Sequence, residues 1–138
     1  MKKVMFVLLL FSSVFGFSQC PTGFISLNSQ ADINNFPVLY PSCTTVNGSL
    51  SINDAASNDI VDLSPLSNLT SIIGSLTIMD TDILTSLTGL DNLTSTGSLN
   101  LTSNSGLSDI SALSNVTSLG MLSVSQNNSL IDLSGLQN

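Results

Sequence analysis

From Gly48 onward, apolar residues return in two alternating rhythms. Two residues after Gly48, Gly74, Gly97 and Gly120 stand Leu50, Leu76, Leu99 and Leu122. Two further on stand Ile52, Ile78, Leu101 and Val124. Alternation of this kind predicts a short strand whose apolar pair points to one side. A polar loop follows, and then a leucine-like residue at every third position: Leu84, Leu87, Leu90 and Leu93 in one copy, Leu107, Ile110, Leu113 and Val116 in the next, Leu130, Leu133 and Leu136 in the last. Three-residue spacing fits corners turned by short strands or 3₁₀ turns and excludes a long α-helix.

Cut at the glycines, the copies read GSLSINDAASNDIVDLSPLSNLTSII, GSLTIMDTDILTSLTGLDNLTST, GSLNLTSNSGLSDISALSNVTSL and GMLSVSQNNSLIDLSGLQN, with steps of 26, 23 and 23 residues. The first carries two extra residues in the Asp54–Asn58 loop and one more just before Gly74. A period in this range marks a solenoid, in which one coil cannot bury its apolar side alone. The expected fold is therefore mostly β: a right-handed parallel β-helix or leucine-rich solenoid of about 23-residue coils. Stacking aligns the strands in parallel and turns their outward positions into rows. One row is Ser49, Ser75, Ser98, Met121; the central one is Ser51, Thr77, Asn100, Ser123; the third is Asn53, Met79, Thr102, Ser125. About six apolar side chains per coil face inward, each burial worth on the order of 1.5–3 kcal/mol. Chain ordering offsets most of that, so stability must grow with the number of coils.

Before Gly48 the pattern changes. Residues 19–28 predict a turn and one strand. Ser29 and Asp32 form a capping-box-like start, and Ile33, Phe36 and Tyr40 follow at helical spacing. Pro37 should end or kink this helix near Phe36. Phe24, Phe36 and Tyr40 are the only aromatics beyond residue 18, and they are expected to form a lid over the first coil.

The chain opens with Lys2 and Lys3, an apolar run from Val4, and the small residues Gly16 and Ser18. This reads as a secretory signal peptide over 1–18, cleaved near Ser18–Gln19. The run is short for a membrane anchor, and a lipoprotein signal would need a small residue where Gln19 precedes Cys20. The organisation is then 1–18 signal peptide, 19–47 N-terminal cap, and 48–138 four coils, the last truncated.

The chain has 138 residues, nine acidic and two basic, and no histidine. Every acid is Asp, and Lys2 and Lys3 are the only cations. Removing them leaves a formal charge of −9. Nucleic acid is excluded as a partner, since nothing would neutralise a phosphate. Anionic membrane surfaces are disfavoured for the same reason. Cys20 and Cys43 are an even pair in an exported chain, which suggests one disulfide; two unpaired thiols are the alternative.

Leu119-x-x-Leu122-x-Val124-x-x-Asn127 matches the leucine-rich repeat core LxxLxLxxN, and Leu99-x-Leu101-x-x-Asn104 matches most of it. The departures are Leu107 and Leu130, three residues after the Asn instead of two, and Thr81 in the Asn position. Cys20, the SQADINNF helix, Cys43, TTVNGSLSI and DLSPLSNLTSIIGSLTI together resemble the receptor L domain over residues 20–138, in versions like those of secreted and surface proteins of Flavobacterium-type bacteria. That resemblance implies pairing of Cys20 with Cys43, protein-ligand binding, and a secreted or surface module joined to other domains.

Catalytic chemistry has little to work with, lacking His, Glu and, beyond residue 3, any Lys or Arg. Paired aspartates remain, Asp80 with Asp82 and the set Asp54, Asp59 and Asp62, as a polysaccharide-acting β-helix enzyme would need. Asp80-Thr81-Asp82 and Asn53-Asp54 could offer oxygens to calcium, without the D-x-[DN]-x-[DN]-G loop. Asp62, Asp109 and Asp132 share a column with Ser86, and Asn68, Asn92 and Asn115 share another; turn capping repeated once per coil accounts for both. No metal or cofactor is expected. The expected function is a non-catalytic, exported recognition or adhesion module, secreted or at the cell surface, binding a protein or glycan through Ser51, Thr77, Asn100 and Ser123. A spacer or stalk solenoid of a larger secreted protein is the alternative. The fourth coil stops short of a full period without a cap, so further domains are expected C-terminal to it.

Overall fold

A computed structural model describes residues 19–137. The signal-peptide reading of 1–18 lies outside the described residues. Five strands lie in one open sheet: β1 Thr22–Leu27, β2 Thr45–Asn53, β3 Ser71–Met79, β4 Ser95–Thr102 and β5 Ser118–Ser125. They stack in sequence order, every neighbouring pair parallel. The register reproduces the columns of the sequence. Leu50 pairs with Leu76, Leu76 with Leu99 and Leu99 with Leu122; Ile52, Ile78, Leu101 and Val124 follow the same path. Ile25 and Leu27 of β1 extend both columns by one strand.

The strands start earlier than the alternation predicts. Each glycine lies inside its strand, preceded by one further inward residue: Val46, Ile72 and Thr96 are buried and Leu119 half-buried. The glycines are there for close approach. A Cβ on Gly97 would lie 2.6 Å from the Ile73 carbonyl oxygen and 2.8 Å from that of Gly74, and one on Gly48 would overlap the Gly23 carbonyl. Between the pairs Ile72–Thr96 and Ser75–Ser98, β3 holds one residue more than β4. The extra residue foreseen before Gly74 is thus accommodated as a β-bulge, which leaves Ile73 63% exposed.

The three-residue rhythm has a direct cause. Leu66 donates its N–H to the Leu63 carbonyl and Leu69 to that of Leu66; Leu87, Leu90 and Leu93 repeat this, as do Ile110, Leu113 and Val116. Each apolar side chain therefore begins a new 3₁₀-type turn and faces the core again. Regular 3₁₀ segments form at Ser64–Leu66, Ser111–Asn115 and Ser134–Leu136. Leucines of the first three coils at these positions are buried to 1% exposure or less.

The cap holds one helix, α1, Gln30–Leu39. Ser29 Oγ accepts the Asp32 N–H at 3.2 Å, while Asp32 Oδ2 accepts the N–H of Asn28, one residue before the capping position expected. The helix continues through Pro37 to Leu39 instead of ending near Phe36. Proline removes one backbone donor there, and the Tyr40 N–H closes the last turn on the Phe36 carbonyl at 2.9 Å. Gln30 fastens α1 to the first coil: its Oε1 accepts the N–H groups of Val61 and Asp62, and its Nε2 donates to the Asp62 carbonyl. Cys20 and Cys43 are joined in a disulfide, Cα atoms 4.9 Å apart. Among the described residues no helix is long and apolar enough to cross a membrane.

Candidate functional site

Alternate residues of the five strands form regular rows on the outward side of the sheet. Register places Ser26, Ser51, Thr77, Asn100 and Ser123 side by side across all five strands. Asn100 Nδ2 approaches Thr77 Oγ1 at 3.4 Å. Exposure along the row is uneven. Ser51 is only 7% exposed, Thr77 and Asn100 are intermediate and Ser123 is exposed. The row is brought together as expected, yet Ser51 offers a partner little area.

The neighbouring row corrects the sequence reading of the aromatics. Phe36 is buried and stacks at 5.3 Å between centroids on the half-buried Tyr40, which is the lid foreseen. Phe24 is not part of it. It points outward from β1 opposite Ser49 and is 74% exposed. Strand alternation settles this: Ile25 and Leu27 take the inward positions, so Phe24 must face out. That row therefore runs from Phe24 to Met121, with exposed apolar groups at both ends of a hydroxyl stretch. Beside it, at the bend where the glycines stack, lies a hollow of about 300 Å³ bounded by Ser71, Ile73, Thr96, Gly97 and Gly120. The Ser71 and Ser95 hydroxyls meet across it at 2.8 Å.

Most of the aspartates accept hydrogen bonds within the fold. Asp54 is fully buried; Oδ1 accepts the Ser57 hydroxyl at 2.6 Å and the Asp59 N–H at 3.1 Å, and Oδ2 accepts the Ile60 N–H at 2.8 Å. It organises the enlarged first loop and cannot serve as half of a solvent-facing carboxylate pair. Asp59 Oδ1 accepts the Gln30 N–H. In Asp80-Thr81-Asp82, Thr81 is buried against Asn104 and Asp82 Oδ1 accepts the Ser105 hydroxyl. Among the described residues no group of three His, Cys, Asp or Glu is placed to hold a metal.

Repeated turn capping is what the corner columns do. Asp62, Asp109 and Asp132 each accept the N–H two residues on, from Ser64, Ser111 and Ser134, and Ser86 accepts that of Thr88. The Ser64 hydroxyl and N–H hold the Asp62 carboxyl below its usual range; the Ser111 N–H and hydroxyl do so for Asp109, and the Ser134 hydroxyl and N–H for Asp132. Asn92 and Asn115 donate to the Ser67 and Asp91 carbonyls of the preceding coil.

Five parallel strands in one open sheet, backed by leucine-lined turns and closed at one end by a helix and a disulfide, are compatible with a leucine-rich, solenoid-like fold. Residues 42–138, more than half of the chain, match the family described as Receptor L domain. The chain belongs to that family, whose members are non-catalytic, extracellular ligand-binding modules. No curated protein and no solved structure matches the sequence.

Proposed function

We propose that this chain is an exported recognition module that binds a protein ligand across the outward face of its sheet. The observation that carries the reading is the outer face itself: an uncharged Ser/Thr/Asn row flanked by the exposed side chains of Phe24, Ile73 and Met121. Apolar anchors beside adaptable hydroxyls suit a protein partner, since a few well-placed apolar groups carry most of the energy of such contacts. Membership of a ligand-binding family supports the same reading. In this proposal residues 1–18 direct export and are removed near Ser18–Gln19, 19–47 form the cap and 48–138 the coils. The coils are about 23 residues long, and they wind right-handed, as parallel strand crossovers overwhelmingly do.

The test is binding of the purified protein to arrays of extracellular proteins and of glycans. Wild-type protein should select protein features, and a Thr77→Arg/Asn100→Arg variant with an unchanged circular dichroism spectrum should lose them. Selection of glycans would replace the ligand class. Signals that survive the double substitution would remove this face as the binding surface.

A further inference from the structure

A second surface lies at the opposite end from the last coil. A hollow of about 250 Å³ touches Ile25, Ser26 and Leu27 of β1. Consecutive residues of a strand point to opposite faces, so a hollow touching all three sits at the strand's edge and on neither face. Among the described residues that edge has no strand partner, since β1 is first in the strand order. The other wall is α1. It contributes Asp32, Asn35, Phe36, Leu39 and Tyr40, one stripe at helical spacing. An open strand edge and a helix stripe thus bound a groove.

We propose that this groove binds an extended peptide segment of another protein, added as a strand to the free edge of β1. The unpaired edge dictates an extended occupant, because only a strand supplies backbone donors and acceptors at the matching repeat. The 61% exposed Leu39, beside the half-buried Tyr40, forms an apolar seat for one side chain of that segment. Charge selects its flanks. Residues 19–138 contain nine aspartates and no Lys, Arg or His, and Asp32 stands in the groove wall. A lysine or arginine on the peptide therefore finds an opposite charge there and no cation to repel it. The groove is held in shape beforehand: the disulfide ties Cys20, two residues before β1, to Cys43, four residues after α1, and Gln30 pins the start of the helix to the first coil. Pre-organisation of this kind lowers the ordering cost of binding.

The groove reports on itself, because Tyr40 is the only tyrosine of a chain without tryptophan. The full chain is titrated with a terminally blocked decapeptide of alternating valine and lysine, and with its valine–glutamate counterpart. Saturable change in tyrosine emission is expected with the lysine peptide and not with the glutamate one. Bound peptide should slow hydrogen exchange over residues 22–27 and leave residues 118–125, the other edge of the described sheet, unchanged. Leu39→Lys, at an exposed position, should weaken binding about tenfold or more. Asp32→Asn, which keeps an acceptor for the Asn28 N–H, should erase the preference for lysine over glutamate. Thr77→Arg/Asn100→Arg should change none of this, so failure here and failure of the sheet-face reading are separable. Absence of saturation at millimolar peptide, protection confined to residues 118–125, or binding indifferent to Leu39→Lys would each overturn the proposal. So would full protection of residues 22–27 before peptide is added, which would mean that the chain fills its own groove.

Discussion

Asn104 holds Thr81 twice: its Oδ1 accepts the Thr81 backbone N–H at 3.2 Å and the Thr81 hydroxyl at 2.7 Å. Its Nδ2 donates to the Ile78 carbonyl at 3.0 Å, while its own N–H is received by Asn127 Oδ1 one coil further on. Asn127 Nδ2 then donates to the Leu101 carbonyl, as Asn104 does one coil earlier. Each link satisfies backbone groups that the turn after the strand would leave buried and unpaired.

Replacing Asn104 by leucine should therefore cost about 3 kcal/mol, since it strands the Thr81 N–H and the Ile78 carbonyl in the interior. Asn127, only partly buried, should cost less when replaced likewise. Urea unfolding midpoints of the two variants check this; equal shifts would show that burial of the ladder does not set its worth.

At Gly97 an added methyl group meets two backbone carbonyl oxygens inside 3.0 Å. Neither is the movable end of a side chain, so the strands must part. Gly97→Ala is expected to destabilise the protein by about 3 kcal/mol, at the upper end of ordinary overpacking. Thermal melting beside an alanine at the exposed Ser108 gives the comparison. A shift no larger than that of Ser108→Ala would show that the glycine column is not under steric constraint.

Much of this was legible in the sequence, and the exceptions have physical causes. Leu50, Leu76 and Leu99 fall in register because two-residue alternation leaves one inward face and each glycine fixes the offset. The corner aspartates were legible because turn capping needs only local geometry. Phe24 was misplaced because an isolated aromatic beside Ile25 and Leu27 carries no mark of its side until the strand is paired. Asp54, a candidate carboxylate or calcium ligand by sequence, is buried in the fold. Its position beside the column of Thr81, Asn104 and Asn127 was the available signal, and the two-residue insertion in its loop obscured it. The hollow between β1 and α1 could not be foreseen, since it depends on where a helix leans.

The capped corners bear on pH. Asp62, Asp109 and Asp132 have carboxyl pKa values lowered by hydrogen bonds from Ser64, Ser111 and Ser134. A depressed pKa contributes stability that is fully present above the unfolded value, about 3.9 for Asp, and lost as pH falls through the folded values. Asn at the three positions keeps an acceptor oxygen without the proton. Stability of the wild type should therefore fall relative to the triple Asn variant below about pH 4. Parallel curves of unfolding midpoint against pH would sink this account.

The last coil should open first. Leu122 and Val124 are 39% and 36% exposed, where Leu76, Ile78, Leu99 and Leu101 in the same columns are fully buried. Leu130 and Leu136 are only partly covered, and Leu133 is 41% exposed. Among the described residues β5 pairs on one side only, and an edge without a strand partner leaves backbone donors and acceptors unpaired. In a stack where each coil rests on its neighbours, opening proceeds from the least covered end. Leu76→Ala should cost about 3–4 kcal/mol by leaving a cavity, while Leu122→Ala, at a position that solvent already reaches, should cost about 1 kcal/mol. Hydrogen exchange should be fastest along 118–125 and slowest along 71–79. Protection of β5 amides equal to that of β3 in a monomer would mean that the exposed leucines are covered in solution.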